Sequence, residues 1–261
     1  MDNKKCAIVT GAASGFGKAL TLMLVKNGIK VIVADISVEE GQAFEKEVNK
    51  NGKNIVFVKC DVTKESDLIN LFEQATQHFG GAQIMVNNAG IGPAEHFNTT
   101  TKAIDSVVAV NLTAVLKGTS LAIQHFNQQK AKSNQKDLDF SIINVSSLSA
   151  IIPLTISPVY SVTKMGVLYL TKNFDYLSKK GIRVNAVAPA FSPTKIMDNG
   201  KNSSVFKKIV ESQGGLIPIE KVANQMLKLI QDKSVFGEVV VIGPNKEYLV
   251  PKNPLKGINK L

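Results

Sequence analysis

The stretch Ala7-Ile8-Val9-Thr10-Gly11-Ala12-Ala13-Ser14-Gly15-Phe16-Gly17 decides the fold. A short apolar run enters a glycine-rich turn, and Leu20, Leu22, Leu24 and Val25 then follow as a helix pattern ending at Asn27-Gly28. Glycines let a backbone turn tightly and approach a pyrophosphate, which then sits at the positive end of the helix. The spacing is G-x-x-x-G-x-G, not the usual dinucleotide G-x-G-x-x-G. On this reading Gly11, Ser14, Gly15, Phe16 and Gly17 belong to a cofactor site.

Strands and helices alternate outward from that turn. Strands are expected at 31–35, 55–60, 84–86, 141–145, 183–188 and 239–242, and long helices at 103–128 and 159–177. Ser37-Val38-Glu39-Glu40 has the form of a capping box, opening a helix that reaches Asn51-Gly52. Thr63 is expected to cap another, ending at Phe79-Gly80-Gly81. Such alternation predicts an α/β protein: one doubly wound parallel sheet, a Rossmann fold, with helices on both faces. At 261 residues without a linker, the chain reads as a single domain. The irregular stretch 189–218 holds one amphipathic segment near 205–210 and is expected to form a substrate lid.

Composition excludes some classes of function. With 44% hydrophobic and 20% charged residues, no stretch approaches the run of about 18 apolar residues that a membrane span needs. The N-terminal apolar run is too short for a signal-peptide core, so a cytoplasmic protein is expected. Cys6 and Cys60 sit in separate strand-like runs and read as reduced, buried thiols. His78, His96 and His125 are scattered, and no metal site is expected. The net charge of +10 is spread over helices and loops and is densest in the tail 244–261, which reads as a solvated basic surface rather than a nucleic-acid site. The terminal Asn259-Lys260-Leu261 is one residue from a peroxisomal address, a minor alternative location.

Asp35 ends the second strand, 18 residues beyond Gly17. A carboxylate there can accept both adenosine ribose hydroxyls and would repel a 2′-phosphate. No cation stands at position 14 to offset that repulsion, so NAD is expected over NADP. Asp61 is placed to meet the adenine edge, and Asn88-Ala89-Gly90 to let backbone pass the ribose; taken alone, either could be turn chemistry. Tyr160 and Lys164 lie four apart on one helix face. A phenol near pKa 10 is a poor acid–base group at neutral pH, and a neighbouring ammonium favours its phenolate. Ser147, 13 residues before Tyr160, can hydrogen-bond a substrate oxygen.

Together Thr10-Gly11-x-x-x-Gly15-x-Gly17, Asn87-Asn88-Ala89-Gly90, Asn111, Ser147 and Tyr160-x-x-x-Lys164 resemble the motifs of the short-chain dehydrogenase/reductase family, over about residues 5–243. The resemblance implies that Ser147 positions a carbonyl, that Tyr160 transfers a proton, and that Lys164 binds ribose and lowers the tyrosine pKa. It also implies that Asn111 supports a water-linked proton relay, and that Ile36, Val62, Pro189, Ser192 and Thr194 contact NAD. A homodimer or homotetramer built on the helices at 103–128 and 159–177 is implied as well. Within the family the chain is most similar to the hydroxyprostaglandin dehydrogenase branch, with two departures. Ser157 stands where that branch has a substrate-holding glutamine, and Pro189-Ala190 where the family has Pro-Gly.

The expected function is therefore oxidation of a secondary alcohol by NAD, or the reverse, with Ser147, Ser157 and Tyr160 at the substrate. Ile91, Pro93, Ile151, Ile152, Leu154, Phe191, Leu216 and Ile217 form an expected apolar wall, suited to a lipid-derived alcohol. A non-catalytic NAD-binding regulatory module is the alternative, but it has no need of all four of Asn111, Ser147, Tyr160 and Lys164.

Overall fold

The computed structural model describes residues 5–92, 100–133, 138–197 and 204–251. Eight strands form one sheet: β1 (Cys6–Thr10), β2 (Lys30–Asp35), β3 (Ile55–Lys59), β4 (Ile84–Asn87), β5 (Phe140–Val145), β6 (Ile182–Pro189), β7 (Val239–Ile242) and β8 (Glu247–Leu249). Their order is β3-β2-β1-β4-β5-β6-β7-β8. All neighbouring pairs are parallel except β7 with β8. The chain winds one way from β1 to β3 and the other way from β4, and the reversal leaves a crevice beyond the carboxyl ends of β1 and β4.

The central strands are buried along their whole length because both faces are covered. On one face lie α1 (Gly15–Lys26), α2 (Val38–Val48) and α8 (Ile219–Gln231), contributing Leu20, Leu24, Phe44 and Met226 to the core. The other face carries α3 (Glu65–Phe79) and α5 (Ala114–Lys132), through Leu68, Leu71, Ala122 and Phe126. Also on that side, α6 (Pro158–Lys172) packs Leu168 against Ala186 and Ala188.

Four features depart from the sequence reading. The helix expected at 103–128 runs from Thr101 to Lys132 as α4 (Thr101–Val108), a π-helical turn at Ala109–Thr113, and α5. An 18-residue window within these 32 residues reaches a mean hydropathy of 1.5, so the helix is long and apolar enough to cross a membrane by length and composition alone. Its Val115, Ala122 and Phe126 are buried in the fold. The last helix, α8, and the edge strand β8 were not anticipated; β8 occupies the start of the expected solvated tail. Within the expected lid, 205–210 extends to α7 (Ser204–Ser212).

Neither expected helix cap forms. Ser37 makes no capping bond; its N–H instead donates to Asp35 Oδ1 at 3.0 Å. Lys64, not Thr63, precedes α3, and the Thr63 hydroxyl donates to Asp61 Oδ1 at 2.7 Å. In both places a nearby aspartate offers the turn a better acceptor. Pro93 and Asn259-Lys260-Leu261 lie outside the described residues.

Candidate active site

A cleft of about 700 Å³ opens at the carboxyl ends of the strands. Gly11, Ser14, Gly15 and Phe16 line one end; Ser147, Tyr160 and Lys164 line the other. The glycine turn is held from beneath. The side-chain amide of Asn88 donates to Thr10 O at 2.8 Å and Gly11 O at 3.0 Å, while Asn88 N and Ala89 N donate to Thr10 Oγ1. Gly11 has φ +62°, and a Cβ there would lie 2.9 Å from Ala89 Cα. A Cβ on Gly17 would lie 2.4 Å from Gly11 O, so Gly17 serves the packing under the turn and does not reach the cleft wall. Ser14 makes no side-chain cap and no acidic residue occupies the first turn of α1, so amides there are left for an anion.

Asp35 lines the cleft from the end of β2. Its Oδ2 accepts from Ala13 N at 2.9 Å and its Oδ1 from Ser37 N at 3.0 Å. Each carboxylate oxygen has a second lone pair, so capacity remains for ribose hydroxyls. Ile36 and Val62 flank it as apolar surface for a base. Asp61 also borders the cleft, but the Thr63 hydroxyl and N–H occupy its Oδ1, and the hydroxyl's hydrogen bond holds its carboxyl below the usual carboxylate range. Turn chemistry thus engages one oxygen of Asp61. With Asn88, Ala89, Gly90, Pro189 and Thr194 also on the wall, the donor set fits the adenosine and pyrophosphate of a dinucleotide.

At the other end, Pro158 starts α6 at a position where its missing N–H costs nothing. One turn on, Tyr160 and Lys164 share a face, with Lys164 Nζ 5.7 Å from the centre of the Tyr160 ring. Ser147 stands beside the Tyr160 phenol, where its hydroxyl acts to lower the tyrosine pKa. Lys164 is buried, and its Nζ donates to Val145 O at 3.0 Å. Burial pulls the Lys164 ammonium down to about 8. Burial also pushes the Tyr160 phenol up to about 12, opposed by Ser147. The lowering expected from Lys164 is absent: desolvation of the phenolate sets the direction, only Ser147 opposes it, and the phenol holds its proton.

Asn111 sits in the π-helical turn, fully buried, with its amide spent on one backbone group. Its Nδ2 donates to Ile91 O at 3.0 Å and its Oδ1 accepts from Ile91 N at 2.9 Å. It pins the loop that carries Gly90. Gly90 separates it from the lysine: a Cβ there would lie 3.3 Å from Asn111 Oδ1 and 3.5 Å from Lys164 Nζ.

Several expected contacts do not reach the cleft. Ser157 is buried at the start of α6 and lies off the wall. Ser192 donates its hydroxyl to Ile217 O at 2.9 Å, tying the loop after β6 to the segment before α8. Ile217 is core, Ile151 packs against Ala150 and Leu168, and Leu216 faces solvent away from the cleft. Ile91, Ile152, Leu154 and Phe191 do line it, joined by Ile156, Ile196, Met197, Ser149, Lys195 and Gln213, which were not anticipated. The apolar pair Ile196-Met197, close after Thr194 in an otherwise polar loop, was the available signal.

Residues 5–204 match the family model described as short chain dehydrogenase. The 15-hydroxyprostaglandin dehydrogenase [NAD(+)] of Rattus norvegicus is 29% identical over 258 residues, covering 94% of this chain and 92% of the relative. Glucose 1-dehydrogenase 2 of Bacillus subtilis (strain 168) is 33% identical over 210 residues, covering 78% and 79%. Among solved structures, 3-ketoacyl-(acyl-carrier-protein) reductase from Brucella melitensis, complexed with NADH, superposes with a TM-score of 0.80 at 30% identity, covering 91% of this chain and 95% of that one. With sheet order, cleft and sequence in agreement over most of its length, the chain belongs to the short-chain dehydrogenase family.

Proposed function

We propose that this chain is an NAD-dependent oxidoreductase that converts an apolar secondary alcohol to a ketone, or the reverse. The observation that carries this is the Tyr160 hydroxyl, set beside Ser147 and buried Lys164 in a cleft whose far end carries Asp35. In the oxidative direction Ser147 holds the substrate oxygen and the substrate hydroxyl gives its proton to Tyr160. Lys164 stabilises the phenolate that precedes this transfer. NAD, when bound, supplies the hydride acceptor. Gly11, Ser14, Gly15, Phe16, Asp35, Ile36, Val62, Ala89, Gly90, Pro189 and Thr194 would hold it, and Lys164 its ribose.

NAD over NADP is supported by the Asp35 carboxylate and by the cofactors in the names of the prostaglandin-oxidising relatives and the solved reductase. A lipid-derived substrate is supported by the apolar wall of Ile152, Leu154, Ile156 and Phe191 and by those same relatives. The segment 189–218 acts as a lid on this reading: Lys195 on it pairs with Glu40 of α2, alongside the cleft. A panel of secondary alcohols and ketones, run with NAD and NADP in both directions at 340 nm, tests the reading. NADH formation from apolar alcohols is expected; binding of NAD without turnover of any substrate would instead identify a regulatory module.

The chain also acts as a homodimer or homotetramer on this reading. The outer face of α6 exposes Val162, Met165 and Tyr169, and neighbouring α5 exposes Leu116. Such a patch on a family scaffold is supportive of self-association. Light scattering is expected to give two or four times 28.1 kDa, and a Val162→Glu, Met165→Glu variant the mass of one chain. An unchanged mass in that variant puts the interface elsewhere. A cytoplasmic setting is supported by Cys6 and Cys60, both free and buried, with burial pushing both thiols up to about 12.

A further inference from the structure

Ser149 is the middle residue of the 3₁₀ turn Leu148–Ala150, two positions beyond Ser147. It borders the cleft, is only 9% exposed, and its hydroxyl has no hydrogen-bond partner among the described residues. Native proteins leave few buried hydroxyls unpaired, because the water lost on burial is not replaced. The other unpaired hydroxyl among those residues, Ser141 Oγ, lies in β5 and not on the cleft wall. An orphan hydroxyl at a ligand cleft has an immediate source of a partner in the ligand.

The surroundings say which part of a ligand. Ser149 N donates to Ser147 Oγ at 3.2 Å, so the two serines share one end of the cleft, with the Ser149 hydroxyl turned beneath its surface. The other polar side chains at that end are engaged. Ser147 Oγ accepts from Ser149 N beside the Tyr160 phenol, Lys164 Nζ is on Val145 O, and Ser146 Oγ donates to Lys164 O at 2.7 Å. Beyond them the wall is Ile152, Leu154 and Ile156. A serine side chain swings among three staggered positions at little cost, so its hydroxyl can turn toward a ligand atom.

We infer that Ser149 is a specificity-determining residue. Its hydroxyl bonds a second substrate oxygen, carried on the first or second carbon from the one that exchanges hydride. The substrate class is then an apolar chain with a secondary alcohol and a neighbouring hydroxyl or carbonyl oxygen. This rests on the oxidoreductase reading above. A site built to bond a substrate oxygen discriminates strongly against an analogue that lacks it, because its own polar group is then left unpaired.

The test uses the full-length protein with NAD and three matched probes: 2-octanol, 2,3-octanediol and methyl 3-hydroxyoctanoate. Wild type is expected to favour at least one oxygenated probe over 2-octanol in kcat/KM by about 10-fold or more. Ser149→Ala is expected to collapse that ratio to near one, and Ser149→Thr, which restores a hydroxyl, to recover part of it. Thermal unfolding adds a readout independent of turnover. Removing an unpaired hydroxyl is expected to leave Tm unchanged or raise it. Turnover of 2-octanol with no preference, or a preference that survives in Ser149→Ala, overturns this inference and leaves the oxidoreductase reading standing. A fall in Tm for Ser149→Ala also overturns it, since the hydroxyl would then be bonded within the protein. No turnover of any probe by wild type, despite NAD binding, overturns both.

Discussion

Alcohol-dependent NADH production is expected to fall by about 10²- to 10⁴-fold in a Tyr160→Phe variant, with NAD affinity unchanged by calorimetry. The substitution removes one oxygen and leaves the ring in place, so packing around α6 is preserved. Ser147 loses its hydroxyl neighbour, and the substrate loses the group that takes its proton. At about 1.4 kcal/mol per decade, the predicted loss is roughly 3–5 kcal/mol of barrier. Because burial pushes the Tyr160 phenol up to about 12, the wild-type oxidation rate should rise with pH as the phenolate becomes accessible. That rise should vanish from any residual activity of the variant. Turnover in Tyr160→Phe above a tenth of wild type would remove this residue from the mechanism.

The second large effect is expected at Asp35. In Asp35→Ala the KM for NAD should rise by about 10- to 100-fold, since each buried acceptor lost leaves a donor costing roughly 1–3 kcal/mol. Two such donors are visible: Ala13 N in the glycine turn and Ser37 N after β2. Use of NADP should rise at the same time, because the carboxylate that repels a 2′-phosphate is gone. Asp35→Asn separates the two causes, keeping an acceptor for the turn while losing the charge. Steady-state KM values for both cofactors check this, and an NAD:NADP ratio that does not move in either variant sinks the assignment.

Much of this architecture was legible from the sequence, and the reasons are local. Strands buried on both faces appear as uninterrupted apolar runs, which is why β1 and β2 were found close to their true bounds. The start of α8 was hidden because Pro218 precedes it and no side chain caps it, leaving the spacing of Val222, Met226 and Leu229 as its signal. Strand β8 is exposed along all three residues and so carries no alternation to read. Ser147, Tyr160 and Lys164 were placed together by spacing along one strand end and one helix. Ser192 was misplaced because its hydroxyl finds Ile217 O, 25 residues away, and no local pattern reports that. Asn111 was found, but its tie to Ile91 was not, since that depends on a loop 20 residues earlier folding back against it.

The ties between Thr10-Gly11 and the segment Asn88–Ala89 have a consequence for how the protein comes to life. They span 77 to 79 residues of chain, and the glycine turn depends on them for its shape. Bringing such distant segments together requires closing a long loop before any contact repays it, which slows folding. A nascent chain that has released only β1, α1 and β2 therefore has the glycines in hand without the brace that shapes them. Cofactor capture must wait for β4 to dock beside β1, making acquisition of NAD a late event that reports assembly of the sheet's centre.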